Sequence, residues 1–84
     1  MEKVYTVKIK AETCERPFTI EYDRVYGVYK SYMAAEKAIY ELAGDEEVSA
    51  VFDYFSWIHS HYDEWGDFTE RFYIEALIQE LELA

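Results

Sequence analysis

The sequence predicts a small α+β domain: an antiparallel sheet of two or three strands packed on two helices, in the order ββααβ. Three observations support this. The first thirty residues alternate apolar and polar side chains with the period of a strand, the next thirty repeat their apolar residues with the period of a helix, and the helical stretch is cut at Gly44. Eighty-four residues make one domain, so residues 1–84 are expected to fold as a single unit. Sixteen aromatic residues, nine of them Tyr, supply the large buried areas that so short a chain needs.

The first strand is predicted over Lys3 to Ala11, with Tyr5, Val7 and Ile9 on one face and Thr6, Lys8 and Lys10 on the other. Glu12 to Pro17 is polar and ends in the only Pro, which suits a hairpin loop. Alternation resumes from Phe18 through Ile20 and Tyr22 and continues to Tyr29, with Gly27 marking a bulge or a close backbone approach. Ser31 is a good N-cap for a first helix, which buries Ala35, Ala38, Ile39 and Leu42 and stops at Gly44 in the C′ position.

A second helix is expected to start at Asp45, with Glu46 and Glu47 in its first turn where carboxylates favour the helix dipole. Val48, Val51, Phe52, Phe55, His59 and Tyr62 then form one helical stripe, flanked by Ala50, Tyr54, Trp57 and His61. The break falls at Asp63-Glu64-Trp65-Gly66. The last segment fits two states. Asp67-x-x-Glu70 resembles a capping box before the helix formers Ala, Leu, Glu and Gln, whereas Phe72, Ile74, Ala76 and Ile78 alternate as a strand would. A third strand would give the helices a sheet to cover, and this favours the strand.

Charge narrows the function classes. Eighteen acids face eight bases, and from Gly44 onward there are eleven acids and a single base, Arg71, so the C-terminal half carries the whole net charge of −10. Direct binding to nucleic acid or an anionic membrane is disfavoured, because phosphate is neutralised by Lys and Arg. A basic protein surface is the partner such a chain attracts. Between Asp53 and Glu70 the acids interleave with Tyr54, Trp57, Tyr62, Trp65 and Phe68, the mixture found in protein-binding hot spots. The candidate binding residues are therefore Asp45, Glu46, Glu47, Asp53, Trp57, Asp63, Glu64, Trp65, Asp67 and Glu70.

Catalysis is not expected, for no phosphate-cradling glycine motif or G-x-S-x-G occurs, and Cys14 sits among Glu12, Glu15 and Arg16 where a thiolate is not favoured. His59 and His61 hold no metal if they lie on a helix, since residues two apart point about 200° away from each other. No cofactor is expected. A single Cys and the absence of an apolar run after Met1 predict a cytoplasmic protein.

The run Val25-Tyr26-Gly27-Val28-Tyr29, followed by Ser31-Tyr32-Met33-Ala34-Ala35-Glu36-Lys37-Ala38-Ile39 and closed by Phe72-Tyr73-Ile74-Glu75, resembles small proteins common in bacteriophage genomes. In size and acidity the chain is also similar to phage-encoded inhibitors of host defence, including anti-CRISPR and anti-restriction proteins, some of which mimic DNA. The resemblance implies an inhibitor in the host cytoplasm that blocks a CRISPR effector or a restriction enzyme by presenting its acids in place of phosphates. It assigns no site residue. The alternative expectation is a structural or assembly protein that homo-oligomerises, as a homodimer for instance, through exposed aromatics.

Overall fold

The computed structural model describes residues 2–15 and 20–83, with the backbone alone at Glu21. Arg16, Pro17, Phe18 and Thr19, which include the end of the expected hairpin loop and the start of the expected second strand, lie outside the described residues. Among the described residues the chain forms β1 (Lys3–Thr13), β2 (Ile20–Tyr29), α1 (Tyr32–Ala43), β3 (Ser49–Val51), β4 (Tyr54–Tyr62) and β5 (Phe68–Glu82). The five strands make one sheet in the order β2-β1-β5-β4-β3, every neighbouring pair antiparallel.

This corrects the expected ββααβ architecture of two helices on a two- or three-stranded sheet. The segment predicted as a second helix is instead the hairpin β3–β4, and Asp45, Glu46 and Glu47 precede a strand rather than cap a helix. The physical reason lies in β4 itself. Tyr54 to Tyr62 has four aromatic residues and the β-branched Ile58 but no Leu, Lys, Arg or Ala, a composition that packs well on a pleated surface and gains little in a helix. Phe55 and Trp57 are two apart and both are buried, as alternation requires, whereas Val51, Phe52 and Tyr62 of the expected helical stripe are exposed. The last segment is a strand, and its capping-box alternative is not formed.

Strand β5 is the spine of the sheet. It pairs along β1 from Thr13↔Phe72 to Lys3↔Glu82, and on its other edge with β4. These registers stack Val7 beside Ile78, Ile9 beside Ala76 and Phe55, and Ile74 beside Trp57 on one face. Helix α1 covers that face with Ala35, Ile39 and Ala43, one residue per turn, which completes a core of nine buried apolar residues among those described. Both ends of the helix are capped as its sequence predicts: Ser31 Oγ accepts the N–H of Ala34 at 3.1 Å, and the N–H of Gly44, at φ 63°, donates to the Tyr40 carbonyl. Leu42, expected in the core, is 40% exposed, and Ala43 takes its place.

The expected irregularity at Gly27 is present. The β1–β2 register shifts between Val7 and Lys8, leaving Tyr26 unpaired beside Gly27. A Cβ on Gly27 would lie 2.7 Å from the Tyr29 hydroxyl, so the absent side chain makes room for the ring. Among the described residues the second face of the sheet carries no helix. There Lys10 stands between Asp23 on β2 and Glu75 on β5, which balances charge along the row.

Candidate functional site: an acidic sheet edge

The sheet order decides where the acids go. Strands β1 and β2, whose Lys3, Lys8, Lys10 and Arg24 balance their acids, form one side of the sheet, while β4 and β3 form the other with β5 between them. Asp45, Glu46 and Glu47 lead into β3, Asp53 lies in the β3–β4 turn, and Asp63, Glu64 and Asp67 lie in the β4–β5 turn. Strand β4, nine residues long, therefore separates Asp53 from Asp63 by about 30 Å. Glu70 follows on β5, opposite His61. From Gly44 to Glu70 there is no Lys or Arg, so the β3–β4 side is acidic along its length without an interposed base of its own.

One of these acids also holds the structure, and a second approaches a histidine. Asp63 Oδ1 accepts the backbone N–H groups of both Trp65 and Asp67 at 2.9 Å, while Gly66, at φ 83°, donates its N–H to the Asp63 carbonyl. Glu46 Oε1 lies 3.9 Å from His59 Nδ1. Asp45, Glu47, Asp53, Glu64, Asp67 and Glu70 are exposed. An exposed charge retains most of its hydration and acts through its field, with a reach of about 8 Å at physiological salt.

The two tryptophans divide. Trp65, at the β4–β5 turn, is 78% exposed, as its place beside Gly66 suggests. Trp57 is 3% exposed and belongs to the core, so as a surface anchor it is ruled out by its own burial, although it also lines a cleft beside Ile74 and Leu42. His59 and His61 lie two apart on a strand and share a face, contrary to the helical expectation. Among the described residues no group of three or more His, Cys, Asp or Glu is placed to hold a metal ion.

Sequence reasoning missed Phe52, which it placed on a buried stripe. In the structure it is the most exposed of the large apolar residues described, at 93%, and its φ of 56° is left-handed. The two-residue turn between β3 and β4, Phe52-Asp53, requires that geometry, and Gly is the residue that usually supplies it. The detectable signal was weak: Asp53 is a usual turn residue, but the position before it, which takes the positive φ, holds Phe where Gly is expected.

Tyr32 and Tyr54 are pushed above the ordinary tyrosine value, chiefly by burial. For Tyr32 the neighbouring Asp53 carboxylate adds to the effect, and for Tyr54 the additions come from the Tyr73 hydroxyl, 3.3 Å away, and from Glu75. Both groups therefore stay protonated, and neither is poised as a base near neutrality.

Comparison with known proteins found no family model, no curated protein and no solved structure that matches this chain. Among the described residues no helix is long and apolar enough to cross a membrane.

Proposed function

We propose that the chain is a small protein-binding inhibitor whose acidic β3–β4 side occupies a basic, nucleic-acid-binding surface on a partner protein. One observation carries the proposal. The base-free run from Gly44 to Glu70 is folded onto one side of the sheet, where its eight acids are distributed over about 30 Å. One strand of a duplex places a phosphate every 3.4 Å or so, about nine over that length. Eight carboxylates against nine phosphates is a matched charge density. Trp65, exposed between Glu64 and Asp67, supplies the rigid contact area that charges alone lack. The inhibitor acts in the cytoplasm of a host cell, and its resemblance to phage-encoded proteins makes a CRISPR effector or a restriction enzyme the first partner to test.

The test is competition with DNA for a purified guide-loaded CRISPR effector and for a purified restriction endonuclease, across a salt series. Displacement of DNA that weakens as salt rises is expected, with a loss of about tenfold or more when Glu47, Asp53, Glu64 and Asp67 are together changed to Ser. Displacement that ignores both salt and the quadruple substitution overturns the mimicry.

A further inference from the structure

Helix α1 has 12 residues and is about 18 Å long, whereas β1 has 11 residues and spans about 36 Å. The helix therefore covers only part of the sheet's inner face. Past its C-terminal end the uncovered part forms a cleft of about 350 Å³, floored by Ile9, Ala11 and Ile74 and walled by Tyr22, Trp57 and Leu42, with Tyr26 and the half-exposed His59 completing the lining. Among the described residues no buried side-chain nitrogen or oxygen lacks a hydrogen-bond partner. The lining is mainly apolar, His59 and the tyrosine hydroxyls apart, and the occupant it suits is an apolar ring.

Such a ring projects from the β3–β4 turn, which is tied to the other end of the same helix. The Tyr32 hydroxyl, at the first residue of α1, donates to the Phe52 carbonyl at 3.4 Å, and the next carbonyl, that of Asp53, accepts the Ile78 N–H at 2.9 Å. The turn is fastened at both of its residues, in a left-handed conformation that is costly for Phe, and the side chain it presents buries almost nothing. Because projection and cleft lie at opposite ends of α1, a molecule cannot fill its own cleft.

We propose that Phe52 of one molecule seats in the cleft of a second copy, a head-to-tail contact that can repeat from one molecule to the next. Charge orients this occupant: on the β2 wall Arg24 stands 4.5 Å over the ring of Tyr22 and offers a partner to Asp53, which follows Phe52, whereas on the opposite, β4 wall Glu46 lies 3.9 Å from His59 and would repel it. A single ring makes a small interface, and the association is weak and transient.

Sedimentation velocity of the full chain from about 10 µM to about 1 mM covers the range of such contacts. Average mass is expected to rise with concentration. Phe52→Ser removes the projection, and Leu42→Glu puts a charge at the half-exposed cleft rim; circular dichroism confirms that each variant is folded. Each alone should associate about tenfold or more weakly. Mixed in equal amounts, the intact Phe52 of the Leu42→Glu chain can still enter the intact cleft of the Phe52→Ser chain. The mixture should therefore recover one contact and stop at twice the 10.0 kDa chain mass. A wild-type chain that is monomeric throughout, variants that associate as wild type, or a mixture that recovers nothing overturns the proposal. Both variants leave the eight acids in place, so DNA competition by them reports on the acidic side separately.

Discussion

The hydroxyl of Tyr32 donates a hydrogen bond to the carbonyl oxygen of Phe52, 20 residues away in sequence, and so ties the start of the helix to the β3–β4 turn. The bond holds the backbone of a residue whose side chain is almost wholly in solvent. A left-handed backbone costs a non-glycine residue about 1–2 kcal/mol, and the extra freedom of glycine in the unfolded chain takes back about 0.5–1. Phe52→Gly is therefore expected to stabilise the protein by about 0.5–1 kcal/mol, whereas Phe52→Ala, which keeps the strain, should change little. Urea melts of the two variants provide the check, and a loss of stability in Phe52→Gly would show that the side chain has contacts of its own.

Gly27 and Tyr29 are expected to be energetically coupled. An alanine at position 27 must displace the Tyr29 ring, which packs against the core, at a cost of about 1–3 kcal/mol typical of overpacking. In a Tyr29→Ala background the same substitution should cost only a few tenths of a kcal/mol. A double-mutant cycle measures the difference, and additivity within error would refute the close approach.

Asp63 acts on the β4–β5 turn as an acceptor for two N–H groups, in the manner of a helix cap. Asp63→Ala should cost about 1 kcal/mol, and Asp63→Asn, which keeps a carbonyl oxygen in place, should recover most of it. Equal losses in thermal melts of the two variants would mean that the charge matters rather than the acceptor.

The raised tyrosines set an alkaline limit. Tyr54 and Tyr32 hold their protons in the folded state beyond the pH at which an unfolded tyrosine, near 10, has lost its own. Above that pH the unfolded chain binds fewer protons than the folded one, so the stability present below about pH 10 declines as pH rises further. Tyr54→Phe should lessen the decline. Urea midpoints at pH 8 and about pH 11 for wild type and variant decide it: an identical pH dependence in both would exclude Tyr54 as a contributor.

Much of this fold is present in local signals. The alternation of Tyr5, Val7 and Ile9 specifies β1 and its buried face, Ser31 and Gly44 delimit the helix, and the base-free run from Gly44 to Glu70 is a property of composition alone. What tertiary structure decided is the state of residues 49–62 and, with it, the shape of the acidic side. Val48, Val51, Phe52 and Phe55 satisfy a helical period, and Phe55, Trp57 and His59 satisfy a strand period, so local sequence admits both. Strand β5 resolves the conflict, because with one edge paired to β1 its other edge offers β4 a full ladder from Tyr54↔Leu77 to His61↔Glu70. That ladder satisfies the backbone of β4 while it buries Phe55 and Trp57 in the core that α1 completes. The same pairing turns the chain tightly at Phe52-Asp53 and sends a ring that looked like core into solvent. It also spreads the acids along the sheet's side rather than around a helix, since in a sheet it is the pairing of distant strands that sets which residues share an edge.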